Sequence, residues 1–126
     1  MTMADYKDYL VQEQDNGSVL ISEEVIASIA ALAVREIDGV FGLSATANFD
    51  ISNIIGKKNL RKGIRVTFND KNEMEISCNL IVKIGTTVME TAKKVQEAIA
   101  SEVEAMTGMQ PTRINVNVCG VAQPKA

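Results

Sequence analysis

Histidine and tryptophan are absent from the 126 residues, and cysteine and proline occur twice each. Without histidine the chain lacks the commonest general base and the commonest nitrogen ligand for zinc. Cys78 and Cys119 lie too far apart for metal-ligand spacing and too few for a disulfide framework. Aromatic residues make up 4%, two Tyr and three Phe, so any core is aliphatic. No apolar run approaches the ~18 residues that a membrane-spanning helix needs, and the N-terminus is polar and acidic, unlike a signal peptide. These absences predict a cytosolic chain that holds no metal or cofactor and works by binding rather than by catalysis.

What is present is the balance of a globular domain, 46% hydrophobic and 23% charged. The net charge of −3 hides an uneven distribution. Lys57, Lys58, Arg61, Lys62 and Arg65 fall in a stretch without an acid, which leaves the other eight bases facing all 16 acids. A basic spot therefore sits on an acidic body. Its ordinary explanation is a solvated loop that aids solubility; the alternative is a site for an anionic partner.

Hydrophobic periodicity divides the chain. Residues 1–17 are acidic and carry only scattered apolar positions, which predicts a flexible tail; residues 122–126 form a second one. Between them, residues 18–121 read as one domain. Val19–Ile21 has the makings of a short strand. Ser22 is a suitable N-cap, Glu23 and Glu24 suit a helix N-terminus, and Val25, Ile26, Ile29, Leu32, Ala33, Ile37 and Val40 recur at helical spacing, predicting a helix over Glu23–Asp38. Ala27, Ser28 and Ala31 give that helix a small-residue face, suited to close packing or to a second contact surface. Ile64, Val66 and Phe68 and then Met74 to Ile84 alternate with polar residues around an Asn69–Asn72 turn, the pattern of a β-hairpin. Thr87 with Glu90 has the form of a capping box, and a stripe of Val88, Ala92, Val95, Ile99, Val103 and Met106 follows, closed by Gly108 and Pro111. Ile114, Val116 and Val118 form a last strand. The order is (β)αββαβ, and the predicted fold class is α+β: a two-layer sandwich with two helices on one face of a three- to four-stranded sheet.

The chemistry-bearing positions have structural explanations. Cys78 lies between apolar strand positions and reads as an inert core thiol, while Cys119 is expected on the opposite face of its strand. The paired glutamates are explained by helix capping, strand alternation and a solvated helix face. Gly39 and Gly42 sit between a helix and a loop, not in a nucleotide-binding turn. Ile54-Ile55-Gly56-Lys57-Lys58-Asn59 resembles the I-I-G-x-x-G loop of KH RNA-binding domains, but Asn59 replaces the second glycine and no room remains for the helix that should follow. Residues 42–62 are the least patterned stretch. Their apolar-then-basic sequence nominates Phe49, Ile54, Ile55, Lys57, Lys58, Arg61, Lys62 and Arg65 as partner-binding residues.

Ile21–Ala30 with Glu36-Ile37-Asp38-Gly39-Val40, then Gly63-Ile64-Arg65-Val66, Val82-Lys83-Ile84-Gly85, Val95-Gln96-Glu97, Met106-Thr107-Gly108 and Ile114–Val118 together resemble the bacterial alkaline shock protein family. The ordered set, over about residues 18–121, carries the resemblance. It implies a cytoplasmic protein of mainly Gram-positive bacteria tied to cell-envelope stress, without catalytic residues, held near the membrane in some members by a separate anchor protein and able in some to self-associate. The reading that follows is an envelope-stress adaptor or scaffold for a membrane-associated protein partner or for copies of itself. The alternatives are an RNA-binding module using residues 57–65 and an accessory subunit of a kinase of fatty-acid metabolism.

Overall fold

Alternation of apolar and polar residues over Met74–Lys83 produces the longest strand of the hairpin region, and the remaining elements arrange themselves around it. The structure is a computed structural model and describes residues 9–44 and 63–123. Its elements are β1 (Tyr9–Gln14), β2 (Gly17–Ser22), α1 (Glu23–Arg35), β3 (Val40–Leu43), β4 (Ile64–Phe68), β5 (Met74–Lys83), α2 (Val88–Thr107) and β6 (Arg113–Ala122). β6 runs parallel to β5 from Glu75↔Arg113 to Lys83↔Ala122, the arrangement expected when a helix joins two strands of one sheet. β6 fills one edge of β5, so β3 and β4, both antiparallel to β5, share the other.

The register on that shared edge is continuous. Leu43 faces Leu80, the Ser44 N–H donates to the Asn79 carbonyl, and Ile64 faces Cys78. β3 and β4 are thus two halves of one edge strand, which the chain leaves after Ser44 and rejoins at Gly63. A Cβ at Gly63 would lie 2.9 Å from the Ser44 carbonyl oxygen, and its φ of +78° is one that glycine alone adopts freely.

Met74, Ile76, Cys78, Leu80 and Val82 point from β5 into the core, each no more than 1% exposed. Both helices cover this face: α1 lies over β3 and β4, and α2 over β6. The mixed α+β class with helices packed on a sheet is therefore as the sequence predicts. α1 begins at Ser22, whose Oγ accepts from the Val25 N–H at 3.4 Å, and presents Ile26, Ile29, Ala30 and Val34 to the core. Ala27 and Ala31 are also buried, which assigns the small-residue face chiefly to close packing. α2 buries Thr91, Val95, Ile99 and Val103 and stops at Gly108, in the left-handed region with φ 79°.

Four local expectations change. Residues 9–14 are a strand rather than part of a tail: β1 pairs with β2 across a two-residue turn, and Leu10 is fully buried. The reason lies 61 residues away, where the side-chain amide of Asn72 replaces a strand partner. Its Oδ1 accepts from the Val11 N–H at 3.0 Å and its Nδ2 donates to the Val11 carbonyl at 2.8 Å. Gln12 also donates to the Thr107 carbonyl at the end of α2. The first helix ends at Arg35 rather than Asp38, and Val40 enters the short strand β3. Thr87 stands at the N-cap of α2 without a side-chain capping bond, so no capping box forms there. Finally, a bulge between Val118 and Gly120 breaks the alternation of β6 at Cys119.

Asn72 also sits at a φ of 64°. Asn72→Ala should therefore destabilise the protein by about 1–3 kcal/mol through the loss of both bonds and the left-handed backbone. Asn72→Gly, which tolerates the backbone, isolates the bond term. Native-state hydrogen exchange should show β1 and β2 amides opening before those of β5; uniform protection across the variant would contradict this role for Asn72.

Candidate functional site

The apolar positions of α1 go further round the helix than its core contact requires. Val25 and Leu32 were natural members of the predicted core stripe, yet they are 47% and 58% exposed, and Met106 at the end of α2 is 66% exposed. These three side chains meet in an open groove of about 720 Å³ between the outer faces of α1 and α2. Ser28, Ile29, Ala33, Ile37, Ala98 and Ser101 add to its apolar and small-residue lining, and Glu24, Glu36 and Glu102 supply its charge, with no base lining it among the described residues. The groove exists because Ala98 and Ser101 are too small to fill the space between the helices. Val25, Leu32 and Met106 fall at the helical spacing of the two predicted stripes, so the sequence pattern alone does not set them apart from the buried positions. The available signal was an apolar stripe on α1 too wide for a helix with a single buried face.

Of the partner-binding residues nominated from sequence, Phe49, Ile54, Ile55, Lys57, Lys58, Arg61 and Lys62 lie outside the described residues. Arg65 is on β4, out of phase with the core residues Ile64 and Val66, and so faces away from the helices. There it lines a small polar hollow with Thr67, Glu75 and Ser77. Neighbouring amides reinforce this face: Asn115 donates to Glu75 Oε2 at 2.8 Å, and Asn117 to the buried Asn79 at its Oδ1, 3.2 Å away. Arg65 and the groove therefore occupy opposite faces of the sandwich.

Among the described residues, no three His, Cys, Asp or Glu side chains are grouped as metal ligands, and no helix is long and apolar enough to cross a membrane. Both cysteines are free. Burial pushes the Cys78 thiol up from 9.0 to about 12, and nearby Cys119 adds to the effect. Cys119, at the bulge, directs its thiol to the Leu80 carbonyl. A thiol held protonated at neutral pH is a poor nucleophile, and among the described residues no basic side chain is hydrogen-bonded to it. The folded protein keeps this proton to about pH 12, whereas an unfolded thiol releases it near pH 9. Stability should accordingly be insensitive to this group below pH 9 and fall between pH 9 and 12, by up to ~1.4 kcal/mol per pH unit. In Cys78→Ala, stability should drop by about 1 kcal/mol at neutral pH, while its alkaline loss becomes shallower than in the parent. Denaturant titrations at pH 7 to 11 would show this, and equal alkaline slopes would refute it.

Residues 11–123 match the alkaline shock protein 23 family, described as having a cell envelope-related function. YqhY of Bacillus subtilis is 31% identical over 105 residues, covering 83% of this chain and 77% of the relative. YloU of the same organism is 29% identical over 107 residues, covering 83% and 88%. A solved zinc form of the MamM CTD superposes with a TM-score of 0.45 at 15% identity, covering 81% of this chain and 86% of that one, a likeness too loose to bear on function. The match over nearly the whole described chain, together with the resemblance carried by its caps, strands and helix ends, makes this protein a member of the alkaline shock protein 23 family, whose function is related to the cell envelope.

Proposed function

We propose that the protein is a non-catalytic adaptor of the cell envelope, which docks a protein partner, at the membrane or a further copy of itself, along the groove between α1 and α2. The observation that carries this reading is the exposure of Val25, Leu32 and Met106 side by side within a rim of glutamates. Fully burying one such side chain is worth about 1.5–3 kcal/mol. Each is already half covered, so three together contribute on the order of 3 kcal/mol on docking. An exposed ion pair at the rim adds only about 0.2–1 kcal/mol. The apolar floor thus supplies most of the affinity, and the glutamates select a partner whose apolar side chains are flanked by bases. An acidic rim repels a phosphate backbone, which disfavours nucleic acid as the occupant of this groove.

A photo-cross-linking residue placed at Leu32 in growing cells should capture discrete protein adducts that sediment with membranes, while the same residue at Lys71, in the β4–β5 turn, should not. Absence of protein adducts from position 32, or capture of nucleic acid there, would refute the docking role.

A further inference from the structure

We infer that the groove between α1 and α2 receives one amphipathic helix of a partner protein, whose apolar stripe is flanked by lysine or arginine. This rests on the groove being a protein-docking surface, and it names the form and charge of the occupant. The form follows from main-chain hydrogen bonding. Both walls of the groove are helices, whose N–H and C=O groups are spent on their own ladders. Its floor of Val25, Ile29, Leu32, Ala33 and Met106 is apolar. An extended segment laid along it would bury N–H and C=O groups without main-chain partners, each at the cost of a lost hydrogen bond. A helix brings those groups already paired.

The groove also has the length and texture for a helix. On the α1 side its lining comes in pairs one turn apart: Glu24 with Val25, Ser28 with Ile29, Leu32 with Ala33, and Glu36 with Ile37. From Glu24 to Glu36 that is about 18 Å at 1.5 Å per residue, room for about three turns of a docked helix. Opposite them, Ala98 and Ser101 keep the second wall low. A third helix axis can therefore approach to the roughly 8–10 Å at which helices pack. Its side chains at i, i+3 or i+4, and i+7 then meet Val25, Leu32 and Met106.

The charge of the occupant follows from the rim. Glu24, Glu36 and Glu102 line the groove and, among the described residues, no base does. Bases beside the apolar stripe of the incoming helix lie along its two flanks, where they face these carboxylates, whereas acids in the same places meet like charge. Neither described helix of this chain supplies such a face. α1 and α2 each turn an apolar stripe into their own core, and the exposed side of α2 mixes Glu90, Lys93, Lys94 and Glu97. The acidic rim also repels an anionic lipid surface, so the groove takes a helix from a protein rather than resting on a bilayer itself.

Selection on the full chain from a phage-displayed library of random peptides, each about 15 residues or roughly four helical turns long, tests this. Binders should carry apolar residues at i, i+3 or i+4, and i+7 with Lys or Arg beside them, and should gain helical circular dichroism on binding. Leu32→Arg should weaken them at least about tenfold, through loss of a buried apolar contact. The double variant Glu36→Lys, Glu102→Lys should lose the same peptides, and selection repeated on it should return the same apolar spacing with Asp or Glu in place of the bases. All three positions are exposed, and circular dichroism checks that both variants fold. Binders whose apolar residues alternate, as in an extended strand, would overturn the inference. So would bases that persist against the reversed rim, binding indifferent to Leu32→Arg, or a selection that yields no binder. In each of those cases, protein adducts at position 32 in cells would still uphold the docking role with a different occupant, a second copy included.

Discussion

Everything in this fold depends on β5 having both edges taken and one face packed under both helices. Its ten residues pair with β6 along one side and with β3 and β4 along the other. Alternation then sends Met74, Ile76, Cys78, Leu80 and Val82 to the helices and Glu75, Ser77 and Asn79 to the opposite face. A sheet only three positions wide has room for two helices side by side, and those helices bury their inner faces completely. Nothing among the described residues covers their outer faces, so the apolar residues that remain there form a groove. The position of the candidate site is therefore a consequence of sheet width.

The elements whose signals are local were legible in the sequence. β4 and β5 announce themselves by strict alternation around a turn in which Asn69 Oδ1 accepts from the N–H groups of Lys71 and Glu73. The start of α1 follows from Ser22, and the end of α2 from Gly108. What escaped depends on distant contacts. β1 looks like an acidic tail because its stability comes from Asn72 and from burial of Leu10, neither of which has a signature within residues 9–14. β3 is four residues long and directly follows a helix, so Val40 fits either period. The groove was hidden for a related reason: a periodic pattern says that Val25, Leu32 and Met106 are apolar on helices, but only the neighbouring helix decides whether they are buried.

Methyl-resolved NMR of the full chain titrated with a basic amphipathic helical peptide tests the central claim, that the outer helix groove is the contact surface. The Val25, Leu32 and Met106 methyl resonances should shift and broaden together, reverting at high salt, while those of Ile84, Met89 and Val121, equally apolar and exposed but elsewhere on the molecule, stay fixed. Movement confined to the second group, with the groove methyls unchanged, would contradict the account.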